Sequence, residues 1–226
     1  MQQRARFTDR RTAGRQLGDE LQTYRGTDAL VLALPRGGVP VGFEVAQALD
    51  AELDVLVVRK VGAPSEPEFG IGAVAPAGVT VRFERAIESM GLPEAVVDAA
   101  AAKERDTMER LIQLYRGHDT PPAAKGRTVI LVDDGLATGV TAEAAVRAIR
   151  KLNPARLVLA VPVCASSSAT DVETHVDEYV CLHAPESFGA VGVWYEEFGQ
   201  TSDEAVIELL EEAHDAVSDD DLREPG

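Results

Sequence analysis

The 226-residue chain is short of cysteine, histidine and long apolar runs, and each shortage excludes something. Only Cys164 and Cys181 occur, each inside an apolar, strand-like run. Without framework spacing they read as buried thiols of a reducing cytoplasm rather than as a disulfide scaffold. The four histidines, His118, His175, His183 and His214, are dispersed with no metal-ligand spacing, so they read as structural or surface residues. No apolar stretch approaches the ~20 residues of a membrane span. The opening MQQRARFTDR is basic but lacks an apolar core and a small-residue cleavage site, so no signal peptide is expected and the location reads as cytoplasmic. A Walker A phosphate loop is absent as well.

Lysine is the other scarcity. Acidic residues number 38 against 22 basic ones, a net charge of -16, and only Lys60, Lys103, Lys125 and Lys151 are lysines. So negative a surface repels nucleic acid and anionic membrane, and neither is an expected partner. Much acid with little lysine resembles the surfaces of proteins from salt-loving organisms; a high-GC genome that replaces lysine with arginine gives the same bias. In either case a local cluster of cations stands out.

What is present is a succession of short apolar runs separated by helical patterns. A helix over 8–24 opens on Thr8-Asp9 and carries Leu17 and Leu21 on one face. A strand at 29–35 runs into Pro-Arg-Gly-Gly, followed by a helix at 39–49 and a strand at 53–60. Residues 61–80, rich in Gly, Pro and Ala, read as a long loop ending in a weak hairpin. The longest helix, 93–115, has Val97, Ala101, Met108, Leu111 and Tyr115 on its buried stripe, interrupted by Glu104. After a Pro-Pro connector come a strand at 128–132, a helix at 140–152, a strand at 156–163, a short helix near 167–175 and a strand at 178–182. Thr201 and Glu204 form a capping box for a last helix ending near Val217, and the acidic tail 218–226 reads as disordered. Alternating strands and helices predict an α/β fold, a mostly parallel sheet with helices on both faces, in one domain over 1–217.

In such sheets ligands bind beyond the carboxyl ends of the strands. Three turns there carry unusual chemistry. In VILVDDGLATGVT (129–141), Ala137, Thr138, Gly139, Val140 and Thr141 form a tight turn at a helix N-terminus, an anion cradle suited to a phosphate monoester. Asp133 and Asp134 stand beside it as paired acceptors for a vicinal diol, and a divalent cation would offset their repulsion. A phosphate next to a diol is a ribose 5-phosphate. Taken alone, Asp-Asp-Gly is equally an Asx-type turn leaving a strand. In LPRGGVPVG (34–42), Gly37 and Gly38 allow close backbone approach to a ligand, or simply reverse the chain. Val39 stands where a dinucleotide fingerprint needs glycine. In VVRKVG (57–62), Arg59 and Lys60 end a strand on the same edge, as a solvated cap or as partners of a pyrophosphate.

The whole thirteen-residue pattern at 129–141 resembles the phosphoribosyl pyrophosphate (PRPP) motif of type I phosphoribosyltransferases, whose fold is Rossmann-related with a small hood from the chain ends and a flexible lid. Within that family the chain is most similar to an uncharacterised group carrying PRGGVPVG, RKVGAP, VDDGLATG and WY. The resemblance implies that Asp133 and Asp134 hold the ribose hydroxyls, with Mg²⁺ nearby, and that residues 137–141 hold the 5-phosphate. It places a pyrophosphate loop, usually with a strained or cis peptide, at Arg36, Gly37 and Gly38, and sets Arg59 and Lys60 beside the leaving group. It implies a lid at about 62–82 and a hood at about 184–200, where Phe188, Trp194 and Tyr195 are candidates for stacking on an acceptor. Purine-salvage members carry a lysine after the strand that follows the PRPP motif; here the segment reads VPVCASSSAT. A 6-oxopurine acceptor therefore lacks its usual partner. The expected activity is pentosyl transfer from PRPP to a nitrogenous acceptor, with a homodimer left open. Two rivals are a PRPP-sensing regulator and an enzyme acting on a ribose phosphate without a base.

Overall fold

A computed structural model describes residues 6–166 and 172–221 of the protein. Five apolar runs pair into one parallel sheet: β1 Ala29–Ala33, β2 Glu52–Val55, β6 Thr128–Val132, β7 Arg156–Val163 and β8 Glu178–His183, in the order β2-β1-β6-β7-β8. Alternation along the strands sorts the side chains onto two faces. Val31, Ile130, Val132 and Val158 pack on α1 (Arg10–Glu20) and α2 (Gly38–Leu49) through Leu17, Leu21, Val41 and Val45. Leu30, Leu32, Val129, Leu131 and Leu159 pack on α5 (Val140–Lys151) through Ala142, Ala145 and Ile149. Helices thus cover both faces, as the sequence pattern predicts. From β1 the chain moves one way to β2, and from β6 the other way to β7 and β8. The order reverses between β1 and β6, so the crevice for a ligand lies between the loops leaving those two strands.

Asp9 caps α1 by accepting from the Thr12 amide at 2.7 Å. The last helix is α6 (Asp203–Asp221); it runs past the expected end near Val217. Its cap is Ser202 rather than Thr201, since the Ser202 hydroxyl accepts from the Ala205 amide at 3.2 Å. The helix expected near 167–175 falls largely outside the described residues, as does the end of the tail.

Two expectations fail in the middle of the chain. The strand expected over 53–60 is two strands: β2 stays in the main sheet, and β3 (Arg59–Ala63) starts another. The expected loop at 61–80 is mostly that second sheet, where β3 pairs antiparallel with β4 (Glu66–Ala75) and β4 with β5 (Val79–Arg82). Its glycines mark close packing rather than slack. A Cβ on Gly62 would lie 2.2 Å from the Pro67 carbonyl oxygen, and one on Gly72 2.3 Å from that of Val81. Val61, Ile71 and Val74 are buried against Val97, Ala101 and Met108 of α4 (Glu94–Arg116), which follows a short α3 (Glu84–Ser89).

Candidate active site

The loop leaving β6 begins with the two aspartates. Burial and the charge of Asp134 push the Asp133 carboxyl well above its usual range, and burial also raises Asp134. Among the described residues only Asp134 has an ion-pair partner, although the same cation also acts on Asp133. Arg10, in the first turn of α1, donates from Nε to Asp134 Oδ2 at 2.8 Å, with the two side chains 12% and 15% exposed. The same guanidinium donates to the Gly199 carbonyl at 2.7 Å and lies 3.9 Å from the Phe198 ring centre. The Asp134 carbonyl accepts from the Tyr195 hydroxyl at 2.6 Å, and the Asp134 amide donates to Asp133 Oδ1 at 2.8 Å. Asp133 has no pairing cation among the described residues. Sequence reading misses Arg10, although a signal exists. A helix opening on Arg-Arg, with no acid in its first turn, sets cations against its own dipole.

Downstream, Leu136 is pinned to β7: its amide donates to the Val163 carbonyl and its carbonyl accepts from the Ala165 amide, both at 2.8 Å. Ala137 and Thr138 are exposed, and Gly139 (φ 74°) caps α5 in the left-handed region that favours glycine. The first-turn amides of a helix have no intrahelical acceptor, so 137–141 and α5 present donors on the aspartate side of the crevice.

The loop leaving β1 meets this one directly. The Leu34 amide donates to the Val132 carbonyl at 2.9 Å, and the Pro35–Arg36 peptide is cis. A Cβ on Gly37 would sit 2.1 Å from Asp134 Oδ2, and one on Gly38 3.0 Å from the Asp133 Cα. The two glycines are therefore dictated by the aspartates across the crevice.

Arg36 and Arg59 line one cavity of about 430 Å³ with Val58, Thr107, Tyr115 and Asp203. Each has a carboxylate: Arg36 lies 3.7 Å from Asp203, and Arg59 3.0 Å from Glu104. The interruption in the apolar stripe of α4 is thus the counter-ion of Arg59. Lys60 runs beside Gly70 of β4 and, with Arg59, lines a neighbouring cavity of about 810 Å³ between β3 and α4.

The hood candidates are placed differently from expectation. Phe188, Trp194 and Tyr195 are buried together with Phe7, Ala13 and Val163, and Trp194, 5% exposed, donates its ring N–H to the Phe188 carbonyl at 3.0 Å. They pack as a core because the turn Val191–Trp194 lies on Gly135, where a Cβ would be 2.7 Å from Val191. No open face of Trp194 remains for a base. The exposed ring here is Phe198, at 38%. Among the described residues no group of three or more His, Cys, Asp or Glu could hold a metal ion, and no helix is long and apolar enough to cross a membrane.

Known proteins resemble this chain in sequence and in fold. The chain is 42% identical over 228 aligned positions to a protein of Mycobacterium tuberculosis, strains H37Rv and CDC 1551, that bears the name "Putative phosphoribosyl transferase". That alignment takes in 96% of this chain and 51% of the relative, so the chain spans about half the length of the curated relatives it matches. The crystal structure of TT1426 from Thermus thermophilus superposes with a TM-score of 0.76 at 42% identity, covering 92% of this chain and 98% of that one. The model of the phosphoribosyl transferase domain matches residues 10–196, from Arg10 to just past Tyr195, and the chain belongs to that family.

Proposed function

We propose that the protein transfers the 5-phosphoribosyl group of PRPP to a nitrogenous acceptor, a nucleobase in the simplest case, and releases pyrophosphate. The observation that carries this reading is the contact of the two loops at the switch point. The Gly37-Gly38 turn packs against the aspartate pair, whose own loop runs on into the N-terminus of α5, and this supports adjoining sites for a diol, a monoester and a diphosphate. Asp133 and Asp134 accept from the ribose hydroxyls, Thr138 and Thr141 with the loop amides hold the 5-phosphate, and Arg36 with the Gly37 and Gly38 amides meets the diphosphate. Arg59 meets it from the other wall and Lys60 from the rim of β3. As the C1′ bond to oxygen lengthens, charge grows on the leaving group, and fixed cations there lower the barrier without rearrangement.

Mg²⁺ fits this donor set in one manner only. Mg²⁺ is commonly held by one or two carboxylates plus substrate phosphates, and among the described residues the site offers two half-buried carboxylates, one of them paired with Arg10. Asp133 and Asp134 would hold it, directly or through water, and it would supply charge neutralisation for the diphosphate.

A second reading is an enzyme acting on a ribose phosphate without a base. It is favoured by the burial of Phe188, Trp194 and Tyr195, which removes the expected stacking surface. Titration of the protein with Mg-PRPP, followed by a pyrophosphate assay over a panel of bases, separates the readings. Binding with base-dependent pyrophosphate release supports transfer, base-independent release supports the second reading, and no binding of Mg-PRPP refutes both.

A further inference from the structure

The cavity that holds Arg36 and Arg59 is not simply basic. Arg36 reaches Asp203 at the start of α6, and Arg59 reaches Glu104 on α4 through two guanidinium nitrogens at 3.0 and 3.1 Å. Tyr115, near the end of α4 and buried, donates its hydroxyl to Asp203. Its phenol is raised by burial and by Asp203 and lowered by both arginines, so these four groups share one field, to which Glu104 is joined through Arg59. Two acids and a phenol placed among the cations of an anion site work against anion binding. They are a costly arrangement if affinity alone matters.

We propose that Asp203 and Glu104 are resident counter-ions of the diphosphate site: they compete with a bound pyrophosphate for Arg36 and Arg59, and so set how readily it leaves. Tyr115 tunes this by hydrogen-bonding Asp203 and weakening its hold on Arg36. The inference rests on the PRPP reading of the cavity. Both carboxylates act through the arginines and are positioning residues. The side chains are partly exposed, 44% and 37% for the Arg36–Asp203 pair and 40% and 21% for Arg59–Glu104, so each competition is modest.

The test is calorimetric titration of Mg-pyrophosphate, Mg-PRPP and ribose 5-phosphate into the wild type, Asp203→Asn, Glu104→Gln and Tyr115→Phe. Both carboxylate variants should bind pyrophosphate and PRPP about three- to fivefold more tightly, the range open to partly exposed ion pairs. Ribose 5-phosphate affinity should stay unchanged. Tyr115→Phe should shift pyrophosphate the opposite way, because Asp203 then holds Arg36 without competition. A merely structural role for these residues gives weaker binding of all three ligands and no reversal of sign. Unchanged or weaker pyrophosphate binding in both carboxylate variants overturns the inference while leaving the PRPP reading standing. A wild type that binds neither PRPP nor ribose 5-phosphate overturns that reading, and this inference with it.

Discussion

Asp133 and Asp134 are chemically identical neighbours, yet replacing them should move stability in opposite directions. Asp133 is half-buried without an ion-pair partner among the described residues, and desolvation and Asp134 raise its carboxyl more than Arg10 lowers it. Asp133→Asn keeps the shape and removes a partly desolvated charge. Relief at a destabilised functional site is worth about 0.5–2 kcal/mol, and in a chain of this size about 1 kcal/mol is about 2–4 °C of Tm. Asp134→Asn leaves Arg10 buried with a neutral acceptor in place of a carboxylate. Breaking a fully buried pair costs ~3–5 kcal/mol; because the amide oxygen still accepts from Arg10, about 1–2 kcal/mol is expected, a fall of about 3–6 °C.

The pH dependence carries a sign of its own. A carboxyl raised in the folded state holds its proton more tightly than in the unfolded chain, so folding stability falls as pH climbs from the ordinary value of 3.8 through the raised one. The gap between Asp133→Asn and the wild type should therefore be small below pH 3.8 and widen above it. Thermal unfolding by circular dichroism at several pH values measures both effects. The double variant should lose at least tenfold in Mg-PRPP affinity, about 1.4 kcal/mol, because charge-assisted bonds to the ribose diol are gone. An Asp133→Asn protein that melts lower than the wild type would refute the account of a desolvated charge that Arg10 only partly offsets.

Two further outcomes follow from the placement of the lid and the tryptophan. With β3 and β4 packed on α4 and β5 packed on the α5 side, motion in the region 62–82 should be confined to the tip at about 64–69. Thermolysin should cut there before Phe69 and be slowed by Mg-PRPP; equal rates, or cleavage throughout β4 and β5, would exclude a closing tip. Trp194 is buried with its N–H satisfied, so its emission should be blue-shifted and poorly quenched by acrylamide, and Trp194→Ala should cost about 3–5 kcal/mol of stability. A freely quenched Trp194 would return it to the surface as a stacking residue.

How much of this is legible in the sequence depends on whether backbone or side chains carry the information. The strands β1 and β6, the turn at 137–141 and the Gly37-Gly38 turn are readable because periodicity and main-chain geometry dictate them locally. The sheet at 59–82 is not. Its Gly, Pro and Ala content is the same whether a segment is slack or, as at Gly62 and Gly72, pressed against another strand. Arg59 and Lys60 look alike in sequence because both are cations, and only the fold shows that Arg59 also joins Arg36 in a second cavity while Glu104 pairs with it. Arg10 escapes notice because its partner lies 124 positions away, and no local pattern predicts a contact at that separation. Position along the chain assigns Phe188, Trp194 and Tyr195 to a ligand, but aromatic area seeks burial first, and a core is within reach.

Arg10 also explains why the two halves of the site should not behave independently. Its guanidinium neutralises Asp134 on one side and covers Phe198 on the other, while the Tyr195 hydroxyl fixes the Asp134 carbonyl from the same segment. On the proposed function, a ribose hydroxyl that donates to Asp134 would compete with Arg10. Weakening of that ion pair should loosen the guanidinium from Phe198 and from the Gly199 carbonyl it also holds. The segment around Phe198 should then respond to what binds at the aspartates. Coupling of this kind needs no long pathway: one arginine shared between Asp134 and Phe198 would link ribose binding to the exposure of the Phe198 ring.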